Sequence, residues 1–360
     1  MALPTVLLAL VVIGALMAGA FFSSTREYQA GRSAIDQRRA LLAAEDGLAL
    51  MIGAWDTLVG DAGWAAHRIE RVSSRQEQAA LSIRTAVQPL SPLAYWVTAE
   101  SIVGEGLSTE SVRRVGAVVR FDPPPLHLPA ALSVNSLADA DDGGADLHLD
   151  GSDNAPVGWT DCTGLSGSVA DLATGSAGDA PGIADERLAD TAAVAAELDE
   201  VWRTLLAKPG ISLSGGTVVG TPESPLGPRE VNGVCDRSNP LNWGDPDRST
   251  SCARYFPVIL ATGDLHVAGG VGQGVLLVEG DLTLSGGTRF VGLVIVRGSL
   301  RTLSPGPHVI GGVRVAGETG ASTTLSGGGR FEYSRCALMQ SLAAHLGPRL
   351  EPGSWIELHR

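Results

Sequence analysis

The chain has 360 residues and a formal charge of −13, with 44% hydrophobic, 18% charged and 5% aromatic side chains. Its 46 glycines are nearly twice the usual share of ~7%, which excludes a helical rod and favours short strands joined by tight turns. The acid excess, with Lys208 as the single lysine, excludes a basic nucleic-acid-binding face, and the apolar fraction is high enough to build a core.

The first element is helical. Met1–Phe22 is almost wholly apolar and no charged side chain precedes Arg26. Twenty-two helical residues span ~33 Å, enough for a bilayer core of ~30 Å, so residues 1–25 are predicted to be a transmembrane or filament-packing helix. A cleaved signal peptide is the rival reading. Ala18-Gly19-Ala20 offers a cleavage site, but no basic n-region leads the run. Arg26, Arg32, Arg38 and Arg39 follow it, which by the positive-inside rule places that side in the cytoplasm. Four cysteines without a CxxC pair point instead to disulfides in an oxidising compartment. The two agree if a short basic leader once preceded Met1. Beyond the run, Ala34, Ile35, Leu41, Leu42, Leu48, Met51, Ile52 and Trp55 recur at three- and four-residue steps. One helix of about 50 residues is expected, apolar in its first half and amphipathic in its second. Val6, Leu7, Leu10, Val11, Ile13, Leu16 and Met17 carry its packing, and Gly14 and Gly19 allow close helix approach.

Past Trp55 the period falls to two. Ala80–Val87, Ala94–Val103 and Ser111–Phe121 read as an antiparallel meander over the amphipathic half, so residues 26–125 form one region ending at Pro123-Pro124-Pro125. Residues 126–210 are expected to be an irregular acidic segment with one helix. In it, Asp139, Asp141 and Gly143 miss the ligand series of a calcium loop and read as a solvated turn. The helix is Ala184–Lys208, stopped by Pro209-Gly210. Next comes a repeat: an apolar run, Gly, Asp or Ser, then Leu, centred on Gly263, Gly280 and Gly298. These glycines lie 17 and 18 residues apart, and Gly317 is a degenerate fourth, 19 further on. Stacked strands follow from such a period, and a parallel β-solenoid is predicted over 211–333, with an antiparallel sandwich as the alternative. Residues 334–360 hold a capping helix, Ser334–Leu346, and a tail. The fold class is α+β: a long membrane-anchored N-terminal helix with an antiparallel β region, then a solenoid-like head.

Chemistry is sparse. The seven histidines are isolated, and neither a nucleophile elbow nor a P-loop occurs, so no catalytic, cofactor-binding or metal residues are assigned. The enzymatic rival is a glycan-degrading coil using Asp264 and Asp281, which hold equivalent rung positions about one strand spacing (~4.8 Å) apart. Ser299 stands at that position in the third copy, which suits a turn and not an acid pair. Cys235 and Cys252, 17 apart, are expected to form a disulfide, leaving Cys162 with Cys336 as the second pair. Four free thiols are the alternative.

Three stretches resemble the PilX-type pilus assembly proteins, minor pilin-like subunits of type IV pilus systems. They are the apolar start Met1-Ala2-Leu3-Pro4-Thr5-Val6-Leu7-Leu8, the helix segment Arg39–Leu48 with its Ala43-Ala44-Glu45, and, in the head, the block Gly272–Leu282. The resemblance implies a non-enzymatic structural subunit, single-pass in the inner (cytoplasmic) membrane, with its head in the periplasm or on the pilus or cell surface. It implies other pilin subunits, pilus assembly proteins and the lipid bilayer as partners, no nucleic acid, and a basic leader cut just before the helix. Thr5 departs from it, since major pilins carry Glu there, and suits a minor or tip-proximal subunit. A surface adhesin, or a glycan-binding or glycan-degrading β-helix protein, is the second reading.

Overall fold

The computed structural model describes residues 2–55, 71–74, 81–91, 93–104, 110–122, 128–139, 147–159, 167–174, 185–187, 191–206, 210–317, 322–343 and 345–358. Within these ranges, side chains are described except at residues 2–9, 11, 71–74, 138, 139, 185–187 and 191–197. The chain divides into two compact units, residues 1–120 with 348–360, and residues 121–347.

The first unit is a helix on an antiparallel sheet. Helix α1 runs Ala2–Gly53 without a break, 52 residues or ~78 Å. Pro4, its one proline, sits in the first turn, where no intrahelical N–H bond is lost. Strands β1 (Arg71–Ser74), β2 (Leu81–Ser91), β3 (Ala94–Val103) and β4 (Ser111–Arg120) pair in sequence order. Val97, Ala99, Val115, Ala117 and Val119 alternate along β3 and β4 and are fully buried, the period-two signature of a sheet with one covered face. The covering stripe of α1 differs from the expected one: Ala40, Ala43, Ala44, Leu48, Met51 and Trp55 are buried, while Ile35 and Leu42 lie open. Small residues take the contact because the backbones come close. A Cβ at Gly47 would sit 2.5 Å from Ile83 Cγ2, and the Ser101 hydroxyl donates to the Ala40 carbonyl.

The second unit is a coil of parallel strands. The segment 126–210, expected to be irregular, contributes β5 (Ala130–Val134), β6 (Leu137–Asp139), β7 (Leu147–Asp150), β8 (Ala170–Thr174) and β9 (Asp185–Arg187). Helix α2 is Thr191–Leu206, shorter than the predicted Ala184–Lys208 because β9 takes its first residues. Then come β10 (Ile211–Ser214), β11 (Thr217–Val219), the small hairpin β12 (Glu230–Val231) and β13 (Val234–Cys235), β14 (Val258–Thr262), β15 (Leu265–Val267), β16 (Val271–Val278), β17 (Leu282–Leu284), β18 (Arg289–Val296), β19 (Leu300–Thr302), β20 (His308–Val315), β21 (Thr323–Thr324) and β22 (Gly329–Tyr333). From β14 to β21, successive strands alternate between two parallel sheets. One follows the order β10-β14-β16-β18-β20-β5-β8-β9, with β22 and β7 branching from β20; the other is β11-β15-β17-β19-β21-β6. The β5–β9 segment thus joins the coil out of chain order, which is why no repeat announces it.

Burial explains the strand sequences. In β18, Phe290, Val294 and Val296 point into the coil, while Leu293 and Ile295 face outward under α2 and helix α3 (Arg335–Ala343). Both faces are covered, so the strand reads as a continuous apolar run. Helix α3, expected to cap an open end, lies across the middle strands instead, with Leu338 and Leu342 in that outer cluster. A column of glycines, Gly274, Gly292 and Gly311, stands in register across β16, β18 and β20. Their φ values are 110–139°, and a Cβ at Gly292 would meet the Gly274 carbonyl oxygen at 2.0 Å. At this column the sheet forks: the first half of β20 pairs β22 and its last residues pair β5. The tail predicted to follow the capping helix belongs to the first unit. There β23 (Arg349–Leu350) and β24 (Ile356–Leu358) pair antiparallel with β4.

Candidate functional site

The first candidate surface is the free part of α1. Every described side chain from Val12 to Ile35 is exposed. Leu10, Val12, Ile13, Leu16, Met17, Phe21 and Phe22 show 50–71% of their surface. Of the predicted packing residues, Leu10, Ile13, Leu16 and Met17 therefore share an uncovered shaft. The side chains of Val6, Leu7 and Val11 lie outside the described residues. Cβ atoms built at Gly14 and Gly19 meet nothing within 4 Å, so these glycines pack against no described residue. Burying a side chain of this size is worth about 1.5–3 kcal/mol, and an exposed apolar surface of this extent marks a contact with something else. Among the described residues no helix is long and apolar enough to cross a membrane.

Where the shaft ends, polar contacts fix α1 to its sheet. Arg113 donates from Nη2 to Gln37 Oε1 at 2.7 Å, and its Nη1 lies 3.2 Å from Glu357 on β24. Trp55 meets Tyr95 edge-on at 5.0 Å, and burial pushes the Tyr95 hydroxyl well above its ordinary pKa. Sequence reasoning missed these contacts because they join residues far apart in the chain. The other face of the sheet carries Trp96, Thr98, Glu100 and Arg114 in a recess of about 500 Å³. Arg114 Nε donates to Glu100 Oε2 at 2.9 Å.

The second candidate, Asp264 and Asp281, proves to be a ladder between rungs. Asp264 Oδ1 accepts the Asp281 N–H at 2.8 Å, and Asp281 Oδ1 accepts the Ser299 N–H at 2.7 Å. Each carboxylate bonds the next turn of the coil rather than its own turn. The glycine before each N–H donor makes room: Cβ atoms at Gly280 and Gly298 would both fall 2.3 Å from the aspartate oxygen of the preceding rung. The Gly-Asp repeat is thus a two-part fit between successive rungs. Asp141 and Gly143 of the calcium reading, and the Asp139 side chain, lie outside the described residues. Among the described residues, no three His, Cys, Asp or Glu side chains are placed to hold a metal.

The cysteines tie down a long loop. Cys235 and Cys252 are bonded, with Cα atoms 4.9 Å apart. Asn242 within the loop donates to the Asp236 carbonyl at 2.7 Å. Buried Asp245 accepts from the backbone of Ser249 and Thr250. Trp243 is fully buried against Phe290. Gln273 Nε2 binds the carbonyls of Ala253 and Tyr255 at 3.1 and 3.0 Å. Cys336 is also disulfide-bonded; its expected partner, Cys162, lies outside the described residues.

No protein-family model matches the chain, and no curated protein matches it. Among solved structures it is similar to the competence-associated pilin ComZ from Thermus thermophilus. That likeness has a TM-score of 0.27 and 12% identity, over 90% of this chain and 97% of that one.

Proposed function

We propose that the chain is a pilin-like structural subunit, of the minor PilX type, that takes part in type IV pilus assembly. The apolar start of α1 packs in the inner membrane or among neighbouring subunits, and the parallel coil, read as a β-solenoid head, stands outside the cytoplasm. The observation that carries this reading is the division of α1. Its second half is sealed onto a sheet of its own chain, while residues 12–35 have no cover and present large apolar side chains. A helix apolar all round is stable only when buried in lipid or other protein. Thr5 favours a minor subunit, since it lacks the carboxylate that major pilins carry at that position. A structural role for the repeat aspartates is supported by the bond that one oxygen of each accepts from a backbone N–H of the next rung.

The test is Leu16→Asp in a host that assembles the pilus. A carboxylate at the shaft's apolar centre costs about 2.5–3.5 kcal/mol in a membrane helix. We expect filaments to be lost by electron microscopy while the circular dichroism of the purified variant in detergent matches wild type. Normal filaments, or a full-length wild-type chain that stays in the aqueous phase without detergent, would overturn the reading.

A further inference from the structure

We infer that the outer face of the six-stranded sheet is a binding groove for an extended oligosaccharide. The observation is a column of outward side chains held in register: Val218, His266, Thr283, Arg301 and Thr324 lie on consecutive parallel strands, β11, β15, β17, β19 and β21. Their inward neighbours Leu265, Leu282 and Leu300 are buried in the coil, which fixes the direction of the column. At a strand spacing of ~4.8 Å the five positions span ~19 Å. They form the floor of a groove of about 630 Å³, walled on one side by Asp281 and Ser299. The described helices of this unit, α2 and α3, pack on the other sheet, and on this face Val218 and Arg301 are exposed.

The lining selects the ligand class. Hydroxyls, an imidazole, a guanidinium and carboxylates alternate along the groove, and of its apolar lining residues Val218 is exposed while Leu265 is buried, so a lipid or an apolar peptide finds little anchor. The sheet face offers no unpaired backbone groups to an added strand. A pyranose chain fits: it presents hydroxyls as both donors and acceptors, and its residue length in extended form is close to one strand spacing. Arg301, which has no ion-pair partner among the described residues, offers a five-donor fork to ring hydroxyls or to a uronate carboxylate. Without an aromatic platform the affinity is modest and comes from repetition along the column. His266 is positioned for this by a 2.8 Å hydrogen bond between its Nε2 and Ser285 Oγ.

The inference does not depend on the pilin reading, which is scored by filament assembly. Its test is isothermal titration of the full chain, in a detergent without a sugar headgroup, with cellohexaose and with hexagalacturonate. Saturable binding of at least one hexasaccharide at submillimolar to millimolar concentration is expected. Thr283→Leu, which removes the central hydroxyl and puts a bulkier apolar side chain in the floor, should weaken it about tenfold or more. Arg301→Ala should weaken hexagalacturonate more than cellohexaose if the uronate is the better ligand, and both alike if hydroxyls alone are read. Both variants change exposed or half-buried side chains and should melt as wild type does. No saturable heat with either hexasaccharide, or binding unchanged in both variants, would overturn the groove.

Discussion

In the repeat, the carboxylates of Asp264 and Asp281 each hold a backbone N–H of the neighbouring rung. Gly-Asp twice and Gly-Ser once signal a turn, and the spacing gives the rungs. The partner of each carboxylate is the backbone of the following rung, 17 or 18 residues on, a distance that turn chemistry alone does not suggest. Asp281→Ala leaves the Ser299 N–H without its acceptor and should cost about 1–3 kcal/mol, whereas Asp281→Asn keeps an oxygen there and should cost less. Gly298→Ala pushes a methyl against both the Asp281 carboxylate and the Gly280 carbonyl and should cost about 1–3 kcal/mol by overpacking. Urea unfolding at neutral pH measures all three; an Asp281→Ala chain as stable as wild type would remove the ladder from the account.

His308 adds a pH dependence at the same scale. Burial holds its pKa below the ordinary value of 6.5; the nearby Glu332 carboxylate opposes this, and Arg330 and Arg289 reinforce it. A histidine depressed in the fold is protonated more readily in the unfolded chain. Its contribution is therefore whole above about pH 6.5 and is lost as the pH falls through that value and below. The melting temperature should drop between about pH 7.5 and 5.5, and His308→Gln should flatten that slope. Equal slopes in the two proteins would count against the assignment.

At the scale of elements, α1 was legible in length and in its change of character. Its contact stripe was not, because periodicity of large apolar residues favours Ile35 and Leu42, while the sheet accepts Ala40, Ala43, Ala44 and Gly47. Closeness of backbones selects small side chains, and a hydrophobicity pattern does not register closeness. Gly47→Leu should therefore separate helix and sheet, with a loss of about 1–3 kcal/mol, while Gly31→Leu, where a Cβ meets nothing within 4 Å, should cost the fold nothing; thermal melts in detergent compare them. The strands β14 to β20 announced themselves through repetition. Strands β5 to β9 did not, since each is short and finds its parallel partner more than a hundred residues downstream or within its own segment. The glycine column was present in the sequence as well, at 274, 292 and 311, but spacing alone does not distinguish a turn from a fork in a sheet.

For the whole molecule, the informative fact is that Arg120 and Arg349 are register partners. The second unit, residues 121–347, is thus an insertion at the tip of an antiparallel pair. Replacing residues 121–348 with Asn-Gly, a favoured two-residue hairpin turn, should leave a base that still melts cooperatively by circular dichroism in detergent. An unfolded product would show that the base needs the inserted unit. The coil has its own clamp: the Cys235–Cys252 bond closes a 17-residue interval and should contribute about 3 kcal/mol, seen as the loss of stability on Cys235→Ala substitution.

The same register has a mechanical meaning. The head is moored through β4, ten residues long and bonded on both sides, and through β23, two residues long. The ten-residue strand, bonded on both sides, therefore has many more backbone hydrogen bonds to lose than the two-residue one. Under tension the C-terminal mooring gives way first and pays out slack, while the upstream strand keeps hold of its load.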